Sequence, residues 1–294
     1  MGKSNFGVLS TAVCQISTKI FGKNGIIAIY IPQKNLMVQL QRIAISPEQC
    51  ISELIVLTPE QLHYFVRVLR SRDGDKFIAM DGMGKWWLAQ LAGEQAQILQ
   101  QLTVETELPV AVTLILALPK GNGFDDVVRV CTELGVATIL PVLSSRTLLN
   151  PSPQKLERWQ RIAQEAAEQS ERAYVPTILE PIAFCAALPL IEGKQKYICE
   201  GRGNYPHLLN CLRQTPITNN QGQMTITIAI GPEGGWTETE IEQAINTGYQ
   251  PVSLGKRILR AISAPVVALS ILASQLESRN EGVGSRKSKG SGPI

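Results

Sequence analysis

Two glycine-rich turns, each following an apolar run, are the part of the chain best suited to chemistry. They are Ile228-Ala-Ile-Gly-Pro-Glu-Gly-Gly-Trp236 and Leu254-Gly-Lys-Arg-Ile-Leu-Arg260. Glycines at the end of a strand let the backbone approach a flat ligand without interference from Cβ atoms. The second turn adds Arg257 and Arg260, whose planar guanidinium groups can face an anion or the oxygen atoms of a base. The pair predicts a nucleotide-like site on an α/β sheet, with a purely structural turn as the alternative.

Neither turn has the spacing of the common nucleotide motifs. No Gly-Lys-Ser/Thr follows the first turn, so it is not a Walker loop, and G-x-G-x-x-G is absent from it. A dinucleotide-binding oxidoreductase is therefore disfavoured. Thr237 and Glu240 have the spacing of a capping box, which predicts a helix that Gly248 ends.

The elements that would position these turns alternate between strands and helices from residue 110 onward, which predicts a largely parallel α/β sheet. The predicted strands are 112–118, 138–142, 197–199 and 225–230, and the polar segment 219–223 is a predicted loop. The predicted helices are 124–134, 153 to about 172, and 264–276.

Residues 38 to about 105 have a different pattern, with short strands separated by turns. The predicted strands are 77–80, 86–91 and 96–102, and Thr58-Pro59 predicts the start of a short helix. This pattern favours a small β-barrel. Arg67, Arg70 and Arg72 form a candidate phosphate-contact patch, with a solvated basic face as the alternative.

The composition is that of an ordinary globular protein, with 44% hydrophobic and 18% charged residues among 294 and a net charge of +3. A charge this small means that any nucleic-acid contact must come from a local patch. The six cysteines form no C-x-x-C pair and the chain has only two histidines, so we expect no metal site. Free thiols favour the reducing cytoplasm, and no apolar run is long enough for a membrane span.

The two ends of the chain differ from the rest. Residues 1–36 contain lysines but no acidic residue, and we predict a disordered or non-native extension before a natural start at Met37. A targeting signal is the alternative. Residues 278–294 are rich in Gly, Ser and Lys and are predicted to be a disordered tail.

Four motifs in order, over roughly residues 37 to 277, resemble those of a known family. They are His63-Tyr-Phe-Val-Arg-Val-Leu-Arg70, Lys120 to Thr132-Glu-Leu-Gly-Val136, Arg158-Trp159 to Arg172, and the Gly-Pro-Glu-Gly-Gly turn with Ser253 to Arg260. The chain is similar in these motifs to the RsmE family of SPOUT-superfamily methyltransferases, which methylate N3 of one uridine in 16S ribosomal RNA of the small subunit.

The resemblance implies an α/β fold with two domains. Residues 37–107 would form a PUA-like RNA-binding β-barrel, and residues 108–277 a SPOUT-type α/β domain with a C-terminal trefoil knot. It also implies a homodimer whose partner is small-subunit ribosomal RNA or the assembled small subunit.

The resemblance further implies S-adenosylmethionine as the cofactor, held by three loops. The residues carried over for cofactor binding are Glu200, Gly201, Gly203, Ile230, Gly231, Pro232, Glu233, Gly234, Gly235, Ser253, Leu254, Gly255, Ile258 and Leu259. Lys120, Arg146 and Arg172 are added to the barrel arginines as RNA-binding residues. Arg260 is the first catalytic candidate and Arg257 the second, since a fixed guanidinium would stabilise the uridine anion. A role in holding the knot or binding phosphate is the alternative for both.

The chain departs from the family pattern where many members have Arg-x-Glu-Thr-Ala, because it has Arg260-Ala-Ile-Ser-Ala264. Ile262 cannot accept a proton, so a general-base role at this position is in doubt. Two basic positions are also changed, to Gly123 and Val130. These departures leave open a methyltransferase acting on another RNA and a non-catalytic ribosome-assembly factor.

Overall fold

The computed structural model describes residues 40–121, 123–147, 151–191, 193–214 and 225–284. The predictions for residues 1–36, for the start at Met37 and for the loop 219–223 therefore lie outside the described residues. The final helix, predicted to end near residue 276, continues to Gly284 and so includes the first part of the segment 278–294 that was predicted to be disordered. The remaining residues 285–294 lie outside the described part.

Residues 42–102 form a six-stranded sheet, here called the β unit. Its strands are β1 (Arg42–Ala44), β2 (Cys50–Ile51), β3 (Leu54–Val56), β4 (Lys76–Met80), β5 (Trp86–Ala92) and β6 (Gln95–Leu102), in the order β1-β4-β5-β6-β3-β2. Every pairing is antiparallel except that of β1 with β4. The predicted strands β4 to β6 are confirmed, whereas β1 to β3 are too short for their alternation to be recognised.

The β unit contains one α-helix among the described residues, besides a 3-10 turn at Pro47–Gln49. Helix α1 (Pro59–His63) begins at Thr58, whose side-chain oxygen accepts a hydrogen bond from the Gln61 amide at 3.2 Å, and it continues as a π-helical turn over Tyr64–Val68. Phe65 in this turn is buried against Phe77 of β4, with ring centroids 4.6 Å apart. This contact fixes the helix on the sheet.

The remainder of the described chain is built on a seven-stranded parallel sheet. Its strands are β7 (Ala111–Ala117), β8 (Thr138–Leu143), β9 (Thr177–Ile178), β10 (Ile182–Ala183), β11 (Gln195–Cys199), β12 (Thr225–Ile230) and β13 (Gln250–Val252). They lie in the order β10-β8-β7-β12-β11-β13, and β9 also pairs with β8. The parallel α/β sheet predicted from the alternation of elements is confirmed.

Six helices accompany this sheet in the described residues: α2 (Gly123–Glu133), α3 (Pro153–Gln169), α4 (Phe184–Leu190), α5 (Leu208–Gln214), α6 (Glu238–Asn246) and α7 (Ala264–Gly284). Trp159 of α3 is 1% exposed and packs on Phe124 of α2, as the apolar stripe of α3 predicts. The capping box at the start of α6 is confirmed, because the Thr237 side chain accepts from the Glu240 amide. The trefoil knot and the domain boundaries at 37, 107 and 277 stay predictions.

Arg172 is buried within the fold, which argues against the RNA-binding role predicted for it. Its side chain is 4% exposed and forms an ion pair with Glu107 at 2.5 Å. Its Nη1 atom donates to the carbonyl oxygens of Thr132 and Val136, at 3.0 and 2.7 Å. The guanidinium group is therefore used within the fold and offers little surface to RNA.

We expect Arg172→Met to lower the free energy of unfolding by about 3 kcal/mol, because it removes one partner of a buried ion pair and takes a donor from the carbonyl oxygens of Thr132 and Val136, of which the Thr132 oxygen keeps the Gly135 N–H. Urea unfolding measures the change. The matched control is Arg161→Met, since Arg161 pairs with Glu165 at 3.8 Å in an exposed i,i+4 contact that contributes at most about 1 kcal/mol. Equal losses of unfolding free energy in the two variants would show that the buried ion pair of Arg172 stabilises the protein no more than an exposed one.

Candidate functional site

A cavity of about 400 Å³ opens where β11, β12 and β13 end, and the loops after these three strands line it. Ligands of α/β sheets bind at the carboxyl ends of the strands. The predicted cofactor residues that line the cavity are Glu200, Gly201, Gly203, Ile230, Gly231, Pro232, Glu233, Gly235, Leu254, Gly255, Ile258 and Leu259. Gly234 and Ser253 are predicted cofactor residues that are not part of the lining.

The loops after β11 and β13 are tied to each other. Ser253 donates its backbone N–H to the Pro206 carbonyl at 2.9 Å and accepts from the Leu208 N–H at 3.0 Å. This explains the place of Ser253, which joins two walls of the cavity instead of lining it. Gly201 lies close to the opposite wall, because a Cβ atom there would be 3.1 Å from Cδ1 of Ile258.

The glycine turn after β12 is packed tightly beneath an aromatic pair. A Cβ atom at Gly231 would lie 3.1 to 3.2 Å from the Trp236 ring, which in turn stacks on Phe184 with centroids 4.1 Å apart. Gly235 has a φ of +71° and donates its N–H to the Pro232 carbonyl at 2.8 Å. The turn therefore requires glycine for two separate reasons, close approach at Gly231 and a left-handed backbone at Gly235.

The cavity combines apolar and ionisable groups. Of its apolar lining residues, Ile230 is 3% exposed, whereas Ile258 is 68% exposed. Burial, with a smaller contribution from Glu200, raises the pKa of the Cys199 thiol to about 12. This cysteine lines the cavity as a neutral thiol and is not a nucleophile near neutral pH.

The two candidate catalytic arginines occupy different places. Arg257 lines the cavity, whereas Arg260 is exposed and not among the lining residues. The Arg260 carbonyl oxygen accepts from the amides of Ser263 and Ala264 as α7 begins. This placement favours Arg257 over Arg260 as the guanidinium that faces a bound ligand, the reverse of the order predicted from the sequence.

Two of the three departures from the family pattern, Gly123 and Ile262, lie beside each other. A Cβ atom at Gly123 would be 2.9 Å from Cγ2 of Ile262, so these residues form a close apolar contact between the starts of α2 and α7. Ile262 is 39% exposed and not part of the cavity lining.

Three of the remaining predicted RNA residues, Arg67, Arg70 and Arg72, are exposed on the β unit, away from the cavity lining. Arg146 lines the cavity, and its Nη1 atom donates to the Gly234 carbonyl oxygen at 2.5 Å. Lys120 is exposed, and its backbone N–H donates to Oε1 of Glu233 at 3.1 Å. Lys120 is therefore attached to the glycine turn.

Sequence reasoning missed some of the lining residues: Arg202, Tyr205, Trp236, Glu238 and Ile241. Arg202 and Tyr205 could have been found because they share a loop with the predicted glycines. Ile241 belongs to α6 and reaches the cavity only through the packing of this helix, so its position in the sequence carries no such signal.

Comparison with known proteins decides which family uses this arrangement. A family model described as an RNA methyltransferase domain matches residues 106–273, and one described as an RNA methyltransferase PUA domain matches residues 57–100. Ribosomal RNA small subunit methyltransferase E of Synechocystis sp. is 48% identical over 82% of this chain and 80% of its own. The chain belongs to the ribosomal RNA small subunit methyltransferase E family.

Two other members of this family are also similar to this chain over most of its length. The Bacillus subtilis methyltransferase E is 30% identical over 75% of this chain and 90% of its own. A crystal structure of methyltransferase E from Neisseria gonorrhoeae bound to S-adenosyl methionine is 32% identical, covers 80% of this chain and 97% of that one, and superposes with a TM-score of 0.67. The prediction of an RNA methyltransferase with an N-terminal PUA domain is confirmed.

Two further kinds of site, a membrane span and a metal cluster, do not occur in the described residues. Within them, no helix is long and apolar enough to cross a bilayer. The same residues contain no group of three or more His, Cys, Asp or Glu side chains placed to hold a metal ion.

Proposed function

We propose that this protein transfers a methyl group from S-adenosylmethionine to N3 of a uridine in 16S ribosomal RNA of the small subunit. The observation that carries the proposal is the cavity at the ends of β11, β12 and β13, whose loops have glycine where backbone must approach closely. Family membership supports it, because the relatives named above are small-subunit ribosomal RNA methyltransferases.

The residues of the cavity fit the cofactor. Ile230 and Leu254 offer an apolar slot for a flat base, and Gly201 and Gly231 leave the backbone close to it. The lining also carries the carboxylates of Glu200, Glu233 and Glu238 together with the guanidinium groups of Arg146, Arg202 and Arg257, which suits a ligand that bears charges of both signs. S-adenosylmethionine supplies an activated methyl group when bound.

Arg257 is the residue that we propose to act on the uridine. Methylation at N3 requires the N3 proton to leave, and in this scheme solvent water accepts it; as it leaves, negative charge develops on the ring and its two carbonyl oxygens, and the N3 lone pair forms the new bond to the methyl group. A planar guanidinium on the cavity wall stabilises this charge by fixed hydrogen bonds. A carboxylate at position 262 is unnecessary in this scheme, because charge stabilisation replaces a dedicated base.

The RNA-binding surface and the assembly state belong to the same proposal. Arg67, Arg70 and Arg72 are exposed on the β unit, which matches a PUA domain, and they supply phosphate contacts. We further propose a homodimer working in the cytoplasm on ribosomal RNA or the small subunit. The free thiols of the described cysteines support a reducing compartment.

The proposal predicts that the full chain binds S-adenosylhomocysteine in calorimetry and transfers tritiated methyl groups to small subunits that lack the modification. Nucleoside analysis of the digested RNA should then show 3-methyluridine. Transfer RNA is the control substrate, and labelling of it in place of the small subunit would contradict the substrate assignment. Binding of NADH without binding of S-adenosylhomocysteine would contradict the reaction class.

A further inference from the structure

Glu240 is buried although it lies in the first turn of α6, where carboxylates are normally solvated. Only 5% of its surface is exposed. Its Oε2 atom accepts from the Thr237 backbone N–H at 2.8 Å and from the Thr237 hydroxyl at 3.0 Å, which completes the capping box. Its Oε1 atom accepts instead from the backbone N–H of Ser145 at 2.8 Å, 95 positions away in the chain. One carboxylate therefore caps a helix and holds a distant loop.

The loop held by Glu240 follows β8 and is a compact turn. Thr147 donates its backbone N–H to the Ser144 carbonyl at 3.0 Å, and the two hydroxyl groups lie 2.8 Å apart. The turn carries Arg146 on its outer side, directly after the residue that Glu240 binds. Movement of Ser145 would therefore move Arg146.

Arg146 fastens this loop to the glycine turn. Its Nη1 atom donates to the Gly234 carbonyl at 2.5 Å and approaches that of Trp236 at 3.4 Å. Its methylene groups lie directly over Gly234, because a Cβ atom there would be 3.0 Å from Cδ of Arg146. This contact gives Gly234 a reason to be glycine although Gly234 does not line the cavity.

We propose that Glu240 is a positioning residue that fixes the glycine turn of the cofactor cavity through Arg146. We call the set Glu240, Ser145, Arg146 and Gly234 the latch. It assigns to Arg146 a contact with the protein backbone, in addition to its place in the cavity wall. The identity of the ligand rests on the function proposed above, whereas the latch itself is a property of the protein alone.

The test compares Glu240→Gln, Arg146→Ala and the double variant. A glutamine offers one acceptor oxygen and turns an NH₂ group toward an N–H donor, so it cannot serve both Thr237 and Ser145. We expect each single variant to weaken S-adenosylhomocysteine binding about tenfold in calorimetry. The affinity of the double variant for S-adenosylhomocysteine should be no lower than that of the single variant with the lower affinity, because both changes break the same set of contacts.

Two controls separate the latch from simple helix capping. Thr237→Ala removes the cap hydroxyl but keeps the backbone N–H that binds Glu240, so we expect lower stability with unchanged ligand affinity. Glu242→Gln changes an exposed carboxylate of the same helix and should alter neither property. The latch is wrong if Thr237→Ala weakens ligand binding as much as Glu240→Gln does. It is also wrong if the fold-losses of affinity in Glu240→Gln and Arg146→Ala multiply in the double variant.

Hydrogen exchange of the backbone amides of Gly231 and residues 233–236 tests the latch without any ligand. We expect faster exchange in Glu240→Gln and Arg146→Ala than in the wild type and in Thr237→Ala. Unchanged exchange in both latch variants overturns the inference, even if the wild type binds the cofactor. Failure of the wild type to bind S-adenosylhomocysteine, with exchange as expected, overturns the proposed function and leaves the latch supported.

Discussion

Arg257→Ala is expected to lower the rate of methyl transfer to small subunits about a hundredfold, with little change in S-adenosylhomocysteine affinity. The cost is that of removing one guanidinium donor from the charge that develops on the uridine. Arg257 lines the cavity, and no ion pair with a carboxylate engages it among the described residues. Its guanidinium group is therefore available to a ligand.

Two neighbouring variants sharpen this prediction. Lys256→Ala removes an exposed cation that does not line the cavity, and it should keep most of the activity. Arg260→Ala should lower the rate about tenfold at most, through weaker RNA contact. A larger loss in Arg260→Ala than in Arg257→Ala would restore the ranking predicted from the sequence.

Ile262→Glu tests the same scheme from the other side. Ile262 contacts Gly123 and does not line the cavity, so an added carboxylate there should not raise the rate of methyl transfer. A tenfold increase would show that the reaction needs a general base and that this chain has lost it.

Gly231→Val is expected to weaken S-adenosylhomocysteine binding more than a hundredfold. A Cβ atom at this position would lie within 3.2 Å of the Trp236 ring, and the additional methyl groups of valine would collide with it. Trp236 has room for only a small shift, since it stacks on Phe184 and is 4% exposed. The bulk of valine must therefore move the turn that lines the cavity. Calorimetry measures the loss of affinity.

Gly231→Ala is the matched control, because its single Cβ atom requires the Trp236 ring to shift by only a few tenths of an ångström. We expect a loss of affinity of about tenfold or less for alanine. Urea unfolding of both variants shows whether the fold persists. A valine variant that stays folded and binds within threefold of the wild type would contradict this packing argument.

The sequence determined the features whose causes are local. The apolar run of β12 was predicted at residues 225–230 as observed, and the spacing of Thr237 and Glu240 predicted the start of α6. The glycine turns also marked the cavity, because glycines at the end of a strand allow left-handed backbone and close approach that other residues do not. Strands such as β2, β9 and β10 were missed, since two residues show no periodicity.

The tertiary structure decided everything that depends on partners far apart in the chain. Arg172 has the sequence context of an RNA contact. Its side chain is instead buried in an ion pair with Glu107, which lies 65 positions away in the chain. Arg146 meets Gly234 across 88 positions, and Arg257 rather than Arg260 reaches the cavity wall. The physical reason is that a side chain's type limits what it can bind, whereas the order of the strands decides which groups come near it. In this protein, placing β13 beside β11 brings the second glycine turn to the cavity.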